Sequence, residues 1–180
     1  MAAAALALVG AFCLGKGAWI RAESLAAQLL LERAWRSTVA AQSPVKPWPW
    51  ARVLPVAKLV SPDHGVSLIV LSDTRENSLR LGPGHVAGSA MPGTPGNTVV
   101  AGHRDTHFRF LQQLRPGDSL LLVRPDGIRL TYRVGQVQVF DDRTPLLEPT
   151  DSSALTLVTC YPFGHVGPAP LRYAVRAVRG

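Results

Sequence analysis

The sequence predicts an all-β fold: a closed or nearly closed β-barrel of seven or eight short strands with one or two short helices, preceded by an N-terminal membrane-anchor helix. Three observations support this prediction. From Ala51 onward the apolar residues fall in short runs, several with period two, as strands require. Fifteen prolines and sixteen glycines in 180 residues place turn signals between these runs. The first fifteen residues, in contrast, carry no charged side chain.

Residues 1–21 are interpreted as a signal anchor that remains attached. A spanning helix needs about 20 apolar residues, and Trp19 and Arg21 suit its interfacial end. The alternative is a cleaved signal peptide, but the segment lacks both a basic start and a clear small-residue cleavage site.

Residues 22–50 are predicted to form an amphipathic helix followed by a linker rich in proline and tryptophan. Residues 22–41 have helical periodicity, and the helix could lie along the membrane or pack on the following domain. Its predicted apolar stripe consists of Leu25, Leu29, Leu30, Ala34 and Trp35. Prolines in residues 44–50 end the helix and make the linker extended. We therefore place the domain boundary at residue 51, with the barrel over 51–180.

Within the barrel domain, seven strands can be located by their apolar runs. Turn signals such as Pro62-Asp63-His64-Gly65 separate them. Residues 81–97 are predicted to be a long loop, and Phe108 to Leu114 a short helical turn. The predicted strands are 52–60, 66–71, 97–102, 118–124, 128–139, 154–160 and 171–178.

The charge pattern argues against a nucleic-acid-binding protein. The net charge is +7, but it is spread along the chain without a basic run or interleaved aromatic residues. A cationic surface facing anionic lipid or cell-wall polymer accounts for it more simply. We predict no nucleic-acid partner.

The sequence predicts no cofactor and no metal site. His103, His107 and His165 could be considered for zinc, but a four-residue spacing of histidines helps only on a helix. Acidic residues of the segment 141–151 could be considered for calcium, but they lack the spacing of an EF-hand. Solvated loop carboxylates are the simpler interpretation.

Three residues with complementary chemistry lie at predicted strand ends: Cys160, His103 and Arg172. The other cysteine, Cys13, lies in the apolar N-terminal segment, so Cys160 is a lone thiol and a candidate nucleophile. A histidine titrates near neutrality and can move protons, whereas an arginine stays protonated and can stabilise an oxyanion. This set suits acyl transfer through a thioester, if the three residues meet in space. A buried, inert cysteine and a structural histidine are the alternative.

Two of these segments resemble the signatures of the sortase family. Thr156-Leu157-Val158-Thr159-Cys160 resembles the TLxTC signature, and Gly102-His103-Arg104 with Phe108 and Leu111 resembles the catalytic-histidine segment. The Pro/Gly-rich stretch 82–97 resembles the loop that precedes that histidine. The anchor end at residues 19–21 and the linker at 46–50 resemble the Gram-negative, marine-proteobacterial class of sortases.

The resemblance implies a membrane-anchored cysteine transpeptidase with a closed, eight-stranded sortase-like β-barrel. It implies that Cys160 forms a thioacyl intermediate, that His103 is the general acid and base, and that Arg172 stabilises the oxyanion or positions the substrate. Arg176, four residues further on the same strand, could share that face, although Arg172 fits the family pattern better.

The implied substrate is a protein with an LPxTG-like C-terminal sorting signal, and the implied acceptor is an amine. Thr159, Tyr161 and Phe163, beside the nucleophile, are predicted to contact the substrate. The catalytic domain is expected outside the cytoplasmic membrane, which means the periplasm in a Gram-negative cell. The alternatives are a hydrolytic cysteine peptidase that uses the same site and a catalytically inert β-barrel binding module.

Overall fold

The computed structural model describes residues 26–141, 153–165 and 167–180. Eight strands in these residues close into a barrel in the order β1-β2-β3-β4-β7-β8-β6-β5, which confirms the predicted closed eight-stranded barrel. The strands are β1 (Pro55–Ser61), β2 (Val66–Leu71), β3 (Gly84–His85), β4 (Asn97–Ala101), β5 (Ser119–Val123), β6 (Arg129–Asp141), β7 (Ala154–Tyr161) and β8 (Leu171–Arg179).

Helical segments in the described residues precede or connect the strands. Helix α1 spans residues 26–41, and the short helix α2 is Glu76–Leu79. Two 3-10 helices are Pro62–His64 and Arg109–Gln113, the second where a helical turn was predicted. Among the described residues, no helix combines the length and apolar character that crossing a membrane would need. The predicted anchor at residues 1–21 lies outside the described part of the chain.

The barrel interior is filled by alternate residues of the strands, as the two-residue period of a β-strand requires. Strand β1 shows this most clearly, because every second residue is buried. The largest fully buried side chains include Tyr132, Phe108, Leu120, Leu122 and Leu157. This packed interior gives the strand ends a rigid support.

Helix α1 packs against the outside of the barrel. Leu31 and Trp35 join Val53, Ile69 and Leu71 in a second apolar cluster. The predicted stripe is correct at Ala34 and Trp35, which are buried, but wrong at Leu29 and Leu30, which are 72% and 38% exposed. Its first residue, Leu25, lies outside the described part of the chain. The buried face of α1 is centred on Leu31 because this side of the helix contacts Val53, Ile69 and Leu71 of the barrel domain.

The order of the strands brings three strand ends to one edge of the barrel. Strand β4 pairs with β7 in parallel, so both end at the same edge. Strand β8 runs antiparallel to β7 and therefore begins at that edge. The residues that end β4 and β7 and begin β8 are brought together by this topology alone.

The one strand that was not predicted is β3, a two-residue strand inside the predicted loop 81–97. Gly84 pairs with Ala101, and His85 pairs with Val100. A Cβ atom on Gly84 would lie 2.0 Å from the carbonyl oxygen of Asp73, so only glycine fits this position. The strand closes the barrel beside β4.

Candidate active site

Cys160 and Arg172 are directly opposite each other in the β7–β8 ladder. The Nη1 atom of Arg172 lies 3.6 Å from the Cys160 Sγ atom. The same Nη1 atom donates to the carbonyl oxygens of Ala169, at 2.9 Å, and Leu171, at 3.2 Å. These backbone contacts hold the guanidinium over the thiol, and the thiol itself is partly exposed.

His103 lies at the same edge, two residues past the end of the neighbouring strand β4. The β4–β7 ladder ends with the pair Ala101 and Val158. The pairing continues further, because the amide of Gly102 donates to the Val158 carbonyl at 3.1 Å. If this parallel register is extended by two residues from Ala101 and Val158, His103 lies beside Cys160. The register therefore brings His103 to the edge of the barrel where Cys160 pairs with Arg172.

The three residues also share one face of the sheet. Side chains alternate between faces along a strand, so His103, Cys160 and Arg172 follow the faces of Ala101, Val158 and Ala174. The last three belong to a single small apolar cluster on the outer side of the barrel. The candidate catalytic set therefore continues this cluster to the barrel edge.

Two contacts fix the backbone that carries His103. A Cβ atom on Gly102 would lie 2.9 Å from the ring of Phe108, so the glycine lets the ring pack against the chain. The amide of Phe108 donates to the carbonyl oxygen of His103 at 2.9 Å. Phe108 is fully buried in the barrel core, and it therefore anchors the histidine segment to the core.

Thr159 links the cysteine strand to the histidine segment. Its hydroxyl donates to the carbonyl oxygen of Gly102 at 2.7 Å, and the residue is 3% exposed. Since it neighbours Cys160, it faces the other side of the sheet. A direct contact between Thr159 and a substrate stays a prediction, while the structure shows this internal hydrogen bond.

Tyr161 and Phe163, predicted to bind the substrate, form an aromatic cluster with Tyr173. Phe163 and Tyr173 pack against the barrel core, so this cluster lies on the face of the sheet opposite Cys160. Tyr161 stacks on Tyr173, with ring centroids 6.0 Å apart, and Phe163 packs edge-on against Tyr173 at 5.0 Å. Burial raises the pKa of Tyr173, so its hydroxyl stays protonated. Tyr173 was not predicted from the sequence, although its position directly after Arg172 was a usable signal.

His107 lies close enough to His103 for their charges to interact. Burial lowers the pKa of His107, and the neighbouring His103 lowers it further, while Asp105 acts in the opposite direction. His85 is held inside its own loop, where its Nε2 contacts the Ser89 hydroxyl at 2.9 Å and the Ala90 carbonyl at 3.1 Å. In the part of the chain that the structure describes, no three His, Cys, Asp or Glu residues group as metal ligands would.

Arg104, which the sequence analysis did not single out, joins the histidine segment to the β7–β8 loop. Its Nη2 atom donates to the carbonyl oxygens of His165, at 2.6 Å, and Gly167, at 2.8 Å. Its position beside His103 was the only available signal, because its partners are main-chain atoms far away in the sequence.

Comparison with known proteins relates this architecture to one family. The family model of the sortase domain matches residues 59–180. Sortase D of Bacillus subtilis (strain 168) is 35% identical over 120 residues, which are 66% of this chain and 60% of that protein. The chain thus spans about 60% of the length of this relative.

Solved sortase structures share the fold. Sortase A from Corynebacterium diphtheriae superposes with a TM-score of 0.65 and 29% identity, over 73% of this chain and 63% of that chain. Sortase C-1 from Actinomyces oris has a TM-score of 0.63 and 32% identity, over 70% and 74%. A Clostridium perfringens Sortase D5 transpeptidase has a TM-score of 0.62 and 26% identity, over 70% and 79%.

Proposed function

Because this chain belongs to the sortase family, we propose that it is a cysteine transpeptidase with Cys160 as its nucleophile. The observation that carries the proposal is the Cys160–Arg172 pair, with Sγ and Nη1 3.6 Å apart, at the edge where the β4 end brings His103. A nucleophile, a proton carrier and a fixed cation are the three groups that thioester chemistry on an amide needs.

The first half-reaction forms the thioester. The Cys160 thiolate attacks the carbonyl carbon of the scissile amide, and the oxygen of the tetrahedral intermediate becomes negative next to the Arg172 guanidinium. His103 donates a proton to the amide nitrogen, the C–N bond breaks, and the amine leaves. The acyl group remains on Sγ.

The second half-reaction releases the product. An amine attacks the thioester carbonyl, His103 accepts its proton, and the C–S bond breaks. The Cys160 thiolate is thereby restored, and the product is a new amide. Water in place of the amine would give a carboxylic acid, so the same site would support hydrolysis.

For the substrate, we propose a protein that ends in an LPxTG-like sorting signal, cleaved between Thr and Gly. The support is the membership of the sortase family. Contacts of the peptide with Tyr161 and Phe163 are proposed because both residues are partly exposed and follow Cys160 closely in the chain. Thr159, which is buried, is proposed to support the site through its hydrogen bond to the Gly102 carbonyl.

We propose that the protein is anchored in the cytoplasmic membrane by residues 1–21, with the barrel on the extracytoplasmic side. The support is the uncharged run in the first fifteen residues, with Trp19 and Arg21 at its end. The Gram-negative, marine-proteobacterial class is proposed on the linker 46–50. That class would place the barrel in the periplasm.

The test of transpeptidation uses the full chain in detergent micelles and an LPxTG-type peptide. A primary amine such as triglycine is added in increasing concentration, and the amide and acid products are separated by mass. The proposal expects the amide to exceed the acid as the amine increases. Acid alone at every amine concentration would indicate a hydrolytic peptidase, and no cleavage would favour an inert binding module.

A further inference from the structure

The guanidinium of Arg104 bridges the two segments that carry the proposed catalytic residues. Arg104 directly follows His103 in the chain. Its Nη2 atom donates to His165 and Gly167 in the loop that joins β7 to β8. That loop comprises residues 162–170. Cys160 lies one residue before the end of β7, and Arg172 lies one residue after the start of β8. One side chain therefore ties the histidine segment to the loop between the thiol and the cation.

The same guanidinium is partly withdrawn from solvent. Its Nη1 atom is buried, and no described residue supplies it with a hydrogen-bond partner. The two hydrogen bonds through Nη2 are therefore the contacts that fix this side chain against the loop.

We propose that Arg104 is a positioning residue for the transpeptidation proposed above, on which this inference rests. It fixes the β7–β8 loop as one wall of the peptide groove. Arg104 acts through the main chain of the loop and does not contact the reacting atoms. Its removal should therefore weaken peptide binding much more than it slows the chemical step.

Hydrogen–deuterium exchange tests the loop contact without reference to activity. In Arg104→Ala, the ladder amides at the base of the loop, in residues 159–161 and 171–173, should exchange about tenfold faster than in the wild type, as expected for the loss of hydrogen bonds to a charged donor. Arg109→Ala is the matched control, because Arg109 is exposed on the neighbouring 3-10 helix and its loss removes the same charge. Unchanged exchange in Arg104→Ala would overturn the proposal.

Steady-state kinetics with the LPxTG-type peptide tests the role in binding. We expect the KM of Arg104→Ala to rise about tenfold while kcat stays within about threefold. Arg104→Lys keeps the charge, but its ammonium cannot bond two carbonyls as a planar guanidinium does, so its KM should also rise. This variant replaces Arg104→Ala in the measurement if the alanine variant does not fold.

An unchanged KM in an active Arg104→Ala protein, with a loosened loop, would overturn the positioning role. A wild-type protein that shows no turnover refutes the proposed function instead. In that case the exchange measurement still decides whether Arg104 orders the loop.

Discussion

The guanidinium of Arg172 lies over the thiol of Cys160, with 3.6 Å between Nη1 and Sγ, because the two residues are directly opposed in the β7–β8 ladder. The cation is therefore positioned by strand register and by two backbone carbonyls. A cation placed in this way needs no rearrangement when charge develops on the substrate oxygen, which is the condition for efficient electrostatic stabilisation.

Arg172→Lys should reduce kcat about 100-fold or more with a small effect on folding. Lysine keeps the charge, but its single ammonium cannot contact both the loop carbonyls and an oxyanion as a planar guanidinium can. The measurement is the single-turnover rate of acylation with the LPxTG-type peptide.

Arg176→Gln is the control for this prediction, because Arg176 lies on the same face of β8, opposite Thr156. Its acylation rate should stay within about threefold of the wild type if Arg172 alone serves the oxyanion. A larger loss in Arg176→Gln than in Arg172→Lys would assign the role to Arg176.

Thr159→Val should destabilise the protein by about 1–3 kcal/mol, because it leaves the buried Gly102 carbonyl without its hydroxyl donor. Urea unfolding monitored by tryptophan fluorescence measures this loss. Thr159→Ser keeps the hydroxyl and should recover most of the difference. Equal stabilities of the valine and serine variants would show that the hydrogen bond contributes nothing net.

Leu31→Ala should cost about 2–5 kcal/mol, as expected for a fully buried leucine. Leu29→Ala, two residues away on the same helix and 72% exposed, should change stability by less than about 0.5 kcal/mol. Thermal and urea unfolding of the two variants provide the comparison. Equal, small effects would mean that the packing of α1 on the outside of the barrel does not stabilise the domain. That result would agree with a domain boundary at residue 51.

Acidification should destabilise the protein in part through His107. Its pKa is lowered from 6.5 by burial, so below that pH the unfolded chain binds a proton that the folded chain resists. Only well above pH 6.5 is the residue neutral in both states, where it contributes no pH dependence. The free energy of unfolding should therefore fall less in His107→Gln than in the wild type between about pH 7.5 and about pH 5.5. An identical loss in both proteins would contradict this assignment.

Most of the barrel could be predicted from the sequence because its strands are apolar runs bounded by turn residues. Strand β3 could not, since two residues in a Pro/Gly-rich loop carry no periodicity and are ordered only by pairing with Val100 and Ala101. The buried face of α1 was misplaced for a similar reason. Periodicity shows that a helix has an apolar side, but the barrel surface decides whether Leu29 or Leu31 is covered.

The candidate site was predictable to the extent that chemistry marks it. Cys160, His103 and Arg172 stand at strand ends with distinctive side chains, and the structure brings them to one edge. Tyr173 and Arg104 were missed because their roles depend on contacts across the fold. Nothing in the local sequence shows that Arg104 donates to carbonyls 61 and 63 residues away.

The most direct test of the account is a covalent one. The full chain is incubated briefly with the LPxTG-type peptide, quenched in acid and digested, and the mass of the Cys160 peptide is measured. We predict an acyl adduct on Cys160 that hydroxylamine removes, that persists in Cys13→Ala and that is absent in a folded Cys160→Ala protein. A Cys160 that reacts with iodoacetamide but forms no acyl adduct, in a protein that cleaves the peptide, would contradict the central claim.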